Sequence, residues 1–169
     1  MERTPRTLSS RLDELYRLHF VDMLRLAYLM TGDRASAEDI VQEAFVRVAG
    51  RFVELRNPDA FGPYLKKTVI NLCRKQFRRN KVERAYADRE ARQSVASTSQ
   101  PDVPAQQAIR AALLRLSPRQ RAALVLRFYG DLAEREIAEA LGCRPGTVKS
   151  LIARGIEALR AEIGSEADA

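Results

Sequence analysis

From Leu12 onward, apolar side chains fall at Leu12, Leu15, Tyr16, Phe20, Met23, Leu24, Ala27 and Met30. That three- and four-residue spacing predicts a helix with one buried face, entered through Ser9-Ser10 and stopped at Gly32. Asp33 is placed to cap a second helix, whose stripe is Ala37, Ile40, Val41, Ala44, Phe45 and Val48 and which Gly50 is expected to end. Residues 51–57 carry no helical period and read as a loop. Asn57-Pro58 then puts a capping side chain ahead of a proline at the first helical position. Gly62-Pro63 predicts a short first turn or a kink. The main helix resumes and runs to about Arg79, burying Phe61, Leu65, Val69 and Leu72, with Phe77 a further candidate.

The pattern breaks between Arg92 and Gln107, where Pro, Ser and Gln crowd out large apolar residues. Such a stretch reads as a linker. Beyond it Ile109, Leu113 and Leu116 share a face, and Ser117-Pro118-Arg119-Gln120 has the form of a capping box. Leu124, Val125 and Phe128 continue that helix to Gly130, and two shorter segments follow, Glu134–Leu141 and Pro145–Ile163. No strand-like alternation persists. The expected fold is all-α: two small helical domains joined by a flexible linker, the C-terminal one containing a helix-turn-helix. The boundaries are a 1–9 extension, a first domain over 10–82, a linker over 83–104, a second domain over 105–164 and a 165–169 tail.

Charge sharpens this picture. The chain of 169 residues has a net charge of +7, and residues 63–92 alone hold ten Lys or Arg against three acids. The remainder is balanced, so one surface is suited to a polyanion. No apolar run approaches the roughly 18–20 residues of a membrane helix, and the N-terminus lacks the apolar core of a secretory signal. With one His and two isolated Cys, Cys73 and Cys143, a zinc site is not expected, and neither are disulfides. No Gly-rich phosphate loop or triad can be assembled around His19. These observations point to a cytoplasmic protein without cofactors that is not an enzyme.

Three stretches carry candidate chemistry. In the first, Ile137, Ala138, Leu141, Gly142, Val148 and Leu151 supply the packing set of a helix-turn-helix. Its second helix would then expose Thr147, Lys149, Ser150 and Arg154, with Arg144 at its start, to phosphates and base edges. In the second, Lys66, Lys67, Asn71, Arg74, Lys75 and Arg78 recur at helical spacing opposite Leu65, Val69 and Leu72. With Phe52, Phe61 and Tyr64 near its start, this helix suits a strand whose bases are unstacked, although such aromatics more often serve packing. The third is Glu38, Asp39, Gln42 and Glu43, a carboxylate face without a histidine, nucleophile or metal cluster. By itself it reads as a solvated helix surface.

AEDIVQEAFVRV (37–48), FGPYLKKTVINL (61–72) and LSPRQRAALVLRFYGDLAEREIAEALGCRPGTVKSLIARGIEAL (116–159) together resemble the extracytoplasmic function (ECF) sigma factors of bacterial RNA polymerase. The resemblance implies that the first domain is sigma region 2, which holds the polymerase and melts the −10 element. The second would be region 4, which sits on the β flap and reads the −35 element. Carried over position by position, Asp39, Gln42 and Glu43 would meet the β′ clamp helices, which turns the acidic face from a solvated surface into a docking one. Leu55, Arg56 and Asn57 would receive a flipped base, with Asn71 on the following helix. The −10 set then comprises Leu55, Arg56, Asn57, Lys66, Asn71, Arg74, Lys75 and Arg78. The −35 set comprises Arg144, Thr147, Lys149, Ser150 and Arg154. Implied partners are core RNA polymerase, promoter DNA and an anti-sigma factor, without membrane insertion. Tyr64 stands where the family usually has Trp, Lys75 where Asp is common, and Leu151 where Arg is frequent. The runner-up function is a stand-alone helix-turn-helix regulator of duplex DNA, and a third reading is an interaction module for another signalling protein. The runner-up leaves the first domain without a role, and the third leaves the basic stretch unexplained.

Overall fold

In the computed structural model, which describes residues 8–52, 57–86 and 104–167, every regular element is helical. The order is α1 (Leu8–Thr31), α2 (Arg34–Phe52), a 3-10 turn (Pro58–Ala60), α3 (Phe61–Tyr86), α4 (Pro104–Arg115), α5 (Pro118–Leu124), a π turn (Val125–Tyr129), α6 (Glu134–Leu141) and α7 (Pro145–Ala167). No described helix is long and apolar enough to cross a membrane.

The punctuation of the chain acts largely as its residue types dictate. Gly32 takes φ +75°, a left-handed conformation that costs glycine nothing, and its N–H donates to Tyr28 O at 2.8 Å to close α1. Asp33 Oδ2 then accepts from Ser36 N at 2.8 Å as the cap of α2. Hydrogen bonding to Ser36 holds the Asp33 carboxyl below its ordinary value. A depressed carboxylate pKa contributes stability that is present above the unfolded value and is lost as pH falls through the folded one. Asp33→Ala should therefore cost about 1 kcal/mol at neutral pH, measured as urea midpoint. The gap to wild type should close in acid; an equal gap at both pH values would remove the cap from the account.

Three expected boundaries move. Gly50 does not end α2. It is exposed with open space around it, and the helix continues to Phe52, through Arg51, whose guanidinium donates to Tyr64 Oη on α3. A mid-helix glycine costs about 1 kcal/mol, which a tertiary contact of this kind can offset. Helix α3 passes Arg79 and the expected domain boundary at 82 to reach Tyr86. Phe128 does not continue the buried face of α5. Val125–Tyr129 form a π turn, in which Gly130 N donates to Val125 O at 2.8 Å, and the wider turn leaves Phe128 68% exposed while Leu126 is fully buried.

The first three helices bury the expected stripes. Leu26, Ala27 and Met30 of α1 meet Ala37, Val41, Ala44 and Val48 of α2 and Phe61, Leu65, Val69 and Cys73 of α3. Burial pushes the Cys73 thiol up to about 12, so this sulfur stays a neutral, unreactive packing group. The core does not stop there. Ala122, Val125, Leu126, Ile137, Ala138 and Val148 of the C-terminal helices belong to the same apolar cluster. The two halves are packed together, through α1 and α3 on one side and α4, α5 and α6 on the other, where the sequence suggested tethered bodies.

Candidate nucleic-acid interface

The helix-turn-helix is built from α6 and α7. Gly142 ends α6 with φ 62° and ψ 45°, and Cys143 N donates back to Ala138 O at 3.0 Å. Ile137 and Val148 are fully buried and Ala138 nearly so, pinning the two helices together. At the other end of α6, Glu136 Oε2 accepts from Ala133 N at 2.8 Å. With Val148 held inward, Thr147, Lys149, Ser150 and Arg154 all face solvent, as does Arg144 just ahead of the helix. Ser150 Oγ donates to Gly146 O at 3.2 Å, and Lys149 Nζ lies 3.9 Å from Glu134 Oε2 with 70% of its side chain exposed. An ion pair so exposed is worth at most about 1 kcal/mol, so Lys149 can exchange its partner for a phosphate.

On α2 the sequence period puts Ile40, Val41 and Ala44 inward and leaves Asp39, Gln42 and Glu43 on the outer face. Glu43 is paired with Arg47 one turn later, and Glu38 with Arg34 at 2.8 Å. Between these charges Val46 is 74% exposed. Carboxylates around an exposed valine form a face suited to a basic protein surface with an apolar centre.

The cationic helix is divided by the tertiary structure. Lys67, Asn71, Lys75 and Arg78 are exposed and recur along one side of α3. Lys66 and Arg74, half-buried, point toward the C-terminal helices instead. Lys66 Nζ donates to Gly130 O, and Arg74 Nη1 donates to Glu139 O at 3.0 Å. The expected single basic face is thus two faces, one open and one covered. Of the preceding loop, Leu55 and Arg56 lie outside the described residues. Asn57 is exposed, and its Oδ1 accepts from Asp59 N at 3.0 Å, which makes it the cap of the 3-10 turn.

Arg121 was not among the sequence candidates, yet it is the buried charged residue among those described, 6% exposed. It lies on α5, and its Nε and Nη2 donate to Met30 O at 3.3 and 3.2 Å, at the C-terminal end of α1, while Nη1 donates to Leu114 O at 3.3 Å. A cation at a helix C-terminus satisfies an orphan carbonyl and opposes the partial negative charge there. Its signal in the sequence is position: Arg121 precedes Leu124 and Val125 by three and four residues, so the helical period aims it into the core.

Between the two halves, Phe20, Val21, Leu24, Ile109, Val125 and Phe128 contribute to an apolar groove of about 700 Å³. Arg110 lies at its wall, with its guanidinium carbon 4.4 Å from the centre of the Tyr28 ring. Among the described residues no group of His, Cys, Asp and Glu could hold a metal ion.

Residues 15–83 match the family model for Sigma-70 region 2, and residues 106–159 match that for Sigma-70, region 4. The RNA polymerase sigma-E factor of Streptomyces avermitilis is 32% identical over 157 residues, covering 90% of this chain and 85% of that protein. The ECF RNA polymerase sigma factor SigW of Bacillus subtilis is 30% identical over 153 residues, covering 82% of this chain and 81% of that protein. Among solved structures, the sigma factor RpoE of Bartonella quintana, in complex with the anti-sigma factor NepR, shares the fold with a TM-score of 0.69 at 23% identity. The match spans 90% of this chain and 96% of that one.

Proposed function

This chain belongs to the extracytoplasmic function sigma factors of bacterial RNA polymerase, and from that premise we propose how its surfaces divide the work. As a sigma factor it directs core polymerase to particular promoters, and RNA synthesis is the chemistry of the polymerase. The outer face of α2, with Asp39, Gln42, Glu43 and Val46, docks on the β′ clamp helices. The open face of α3, with Asn71, Lys75 and Arg78, holds the unpaired −10 strand beside Asn57. The start of α7 reads the −35 duplex through Arg144, Thr147, Lys149, Ser150 and Arg154. An anti-sigma factor fits the groove between the halves, whose lining is mainly apolar. Partnership with the polymerase places the protein in the cytoplasm.

The observation that carries this reading is the α7 register, which buries Val148 completely and turns Thr147, Lys149, Ser150 and Arg154 outward, with Arg144 exposed just ahead of them. Added to core polymerase, the chain should initiate transcripts whose upstream DNA shares two spaced elements. Substituting Arg144, Lys149 and Arg154 together with Ala should depress initiation at those promoters. A side chain that reads a base should cost about 1–3 kcal/mol when truncated and alter sequence preference. One that binds a phosphate should flatten the salt dependence by about one ion and leave preference alone. Duplex binding without core polymerase, and no new transcripts with it, would favour a stand-alone regulator.

A further inference from the structure

We propose that the groove between the halves is also a binding site for a small molecule, a single-chain anionic amphiphile of the fatty-carboxylate class. The inference goes beyond the division of surfaces proposed above and does not depend on it. The groove's volume of about 700 Å³ lies within the range of pockets that enclose drug-sized ligands. One wall follows α1 from Phe20 to Leu29, a span of about 13 Å at the helical rise per residue. Extended dodecanoate is of matching length. Val21, Ile109, Phe128 and Tyr129 all line the groove, and all are exposed, Val21 by 54% and Phe128 by 68%. Solvated apolar side chains gathered in one concavity are what an apolar ligand covers.

Charge chooses the head group. Arg25, Arg34 and Arg110 belong to the lining, and among the described residues no Asp or Glu does. Arg110 lies over the Tyr28 ring and Arg34 follows the end of α1, so two cations mark the Leu29 end, with Arg25 a turn earlier. Tyr129 Oη, 3.5 Å from Asp22 O, places the π turn toward the other end. The acid nearest the cationic end is Glu38, paired with Arg34 at 2.8 Å while 47% of the Arg34 side chain and 42% of the Glu38 side chain are exposed. An exposed pair along one helix is weak, so a ligand carboxylate can take its place without stranding a buried charge. The head group then sits at Arg34 and Arg110, whose planar guanidinium groups present paired N–H donors to a carboxylate, and the acyl chain runs toward Phe20 and Phe128. A partner helix, about 10–12 Å across, would lay only one face on this surface. An acyl chain is surrounded by it. Because chain and helix need the same lining, they are alternative occupants.

Calorimetric titration of the free full-length chain with dodecanoate, below its micellar concentration, tests the site. One dodecanoate should bind per chain. Decanoate should bind about tenfold more weakly, the loss expected for two buried methylenes. Dodecanol and dodecyltrimethylammonium keep the chain without the negative charge, and each should bind at least about tenfold more weakly than dodecanoate. Arg34→Ala/Arg110→Ala should bring dodecanoate down to the level of dodecanol. Ile109→Trp, which fills the groove from a residue 47% exposed, should abolish binding, and Val21→Trp on the α1 wall should do the same. Circular dichroism and protection of the buried Cys73 from thiol reagents show that each variant is folded. If the arginine variant does not fold, the head-group series on the wild-type chain decides the charge; of the two tryptophan variants, whichever folds decides the place. Binding that exceeds one per chain, ignores the head group or survives in a folded tryptophan variant would overturn the proposal. So would absence of dodecanoate binding, whether or not an acidic amphipathic peptide binds instead. The assay contains no polymerase, promoter or anti-sigma factor, so its failure leaves the proposed function standing, and a transcription failure leaves the calorimetric result standing.

Discussion

Replacing Asp39 and Glu43 with Arg is expected to abolish holoenzyme formation while the chain stays folded. Both carboxylates stand on the exposed face of α2, opposite Ile40, Val41 and Ala44, so neither change enters the core. Among the described residues the pairing disturbed is Glu43 with Arg47, an exposed contact along a single helix, and such pairs contribute a few tenths of a kcal/mol. The effect on folding should stay within about 1 kcal/mol. Docking is another matter. Two carboxylates that meet a basic surface become two like charges against it, and removing one partner of a close interfacial charge pair already costs about 2–5 kcal/mol. Affinity for core polymerase should therefore fall by about a hundredfold or more, since every 1.4 kcal/mol is tenfold. Fluorescence anisotropy of a labelled chain titrated with core polymerase measures this directly, with circular dichroism as the folding control. Unchanged affinity in a helical double variant would move the docking face elsewhere.

The second large effect concerns strand separation. Asn71→Ala combined with Lys75→Ala and Arg78→Ala should leave core binding and −35 binding nearly intact but block the open complex on duplex promoter. All three residues lie on the open face of α3, free of the contacts that hold Lys66 and Arg74 against the second domain. Extruding a base costs a few kcal/mol. Stacking and phosphate contacts must supply that energy, at about 1–3 kcal/mol for each stacked base. Removing these three polar groups at once should reduce melting by about ten- to a hundredfold. Permanganate reactivity of promoter thymines reports the unpaired region. A template already mismatched across the −10 element should restore much of the activity, because its pairing cost is gone. Equal reactivity of wild type and variant on duplex DNA would remove these residues from melting. Asn57 is less suited to this test, because its side chain also caps the turn before α3 and its loss would disturb the local backbone.

Local chemistry accounts for what could be read directly from the chain. Gly32, Asp33, the Ser117-Gln120 box and Gly142 bound helices where their conformational freedom or side-chain oxygens require it. The stripes of α1 to α3 and the inward Val148 of α7 follow from a 3.6-residue period alone. For the same reason, the outward placement of Asp39, Gln42 and Glu43 and of the four α7 candidates, Thr147, Lys149, Ser150 and Arg154, was legible without a structure. The identity of the surfaces came from the quoted motifs, which periodicity does not supply. Leu55 and Arg56 remain sequence expectations, since they lie outside the described residues.

What required the tertiary structure is the relation between the halves. A helical period assigns residues to faces of their own helix and says nothing of which distant helix will cover a face. Lys66 and Lys67, adjacent in sequence and alike in chemistry, therefore have different surroundings: one donates to Gly130 O, the other stays in solvent. Gly50 is a helix stop by propensity, but the Arg51–Tyr64 contact carries α2 past it. Arg121 sits on an apolar stripe as a charge, a local conflict that sequence can flag. Only the packing of α5 on the end of α1 supplies the Met30 carbonyl that resolves it. The sequence determined the helices, their faces and the recognition motifs, because those depend on neighbours a few residues apart. The tertiary structure decided which cations are covered and that the two domains share one core, because those depend on contacts between residues tens of positions apart.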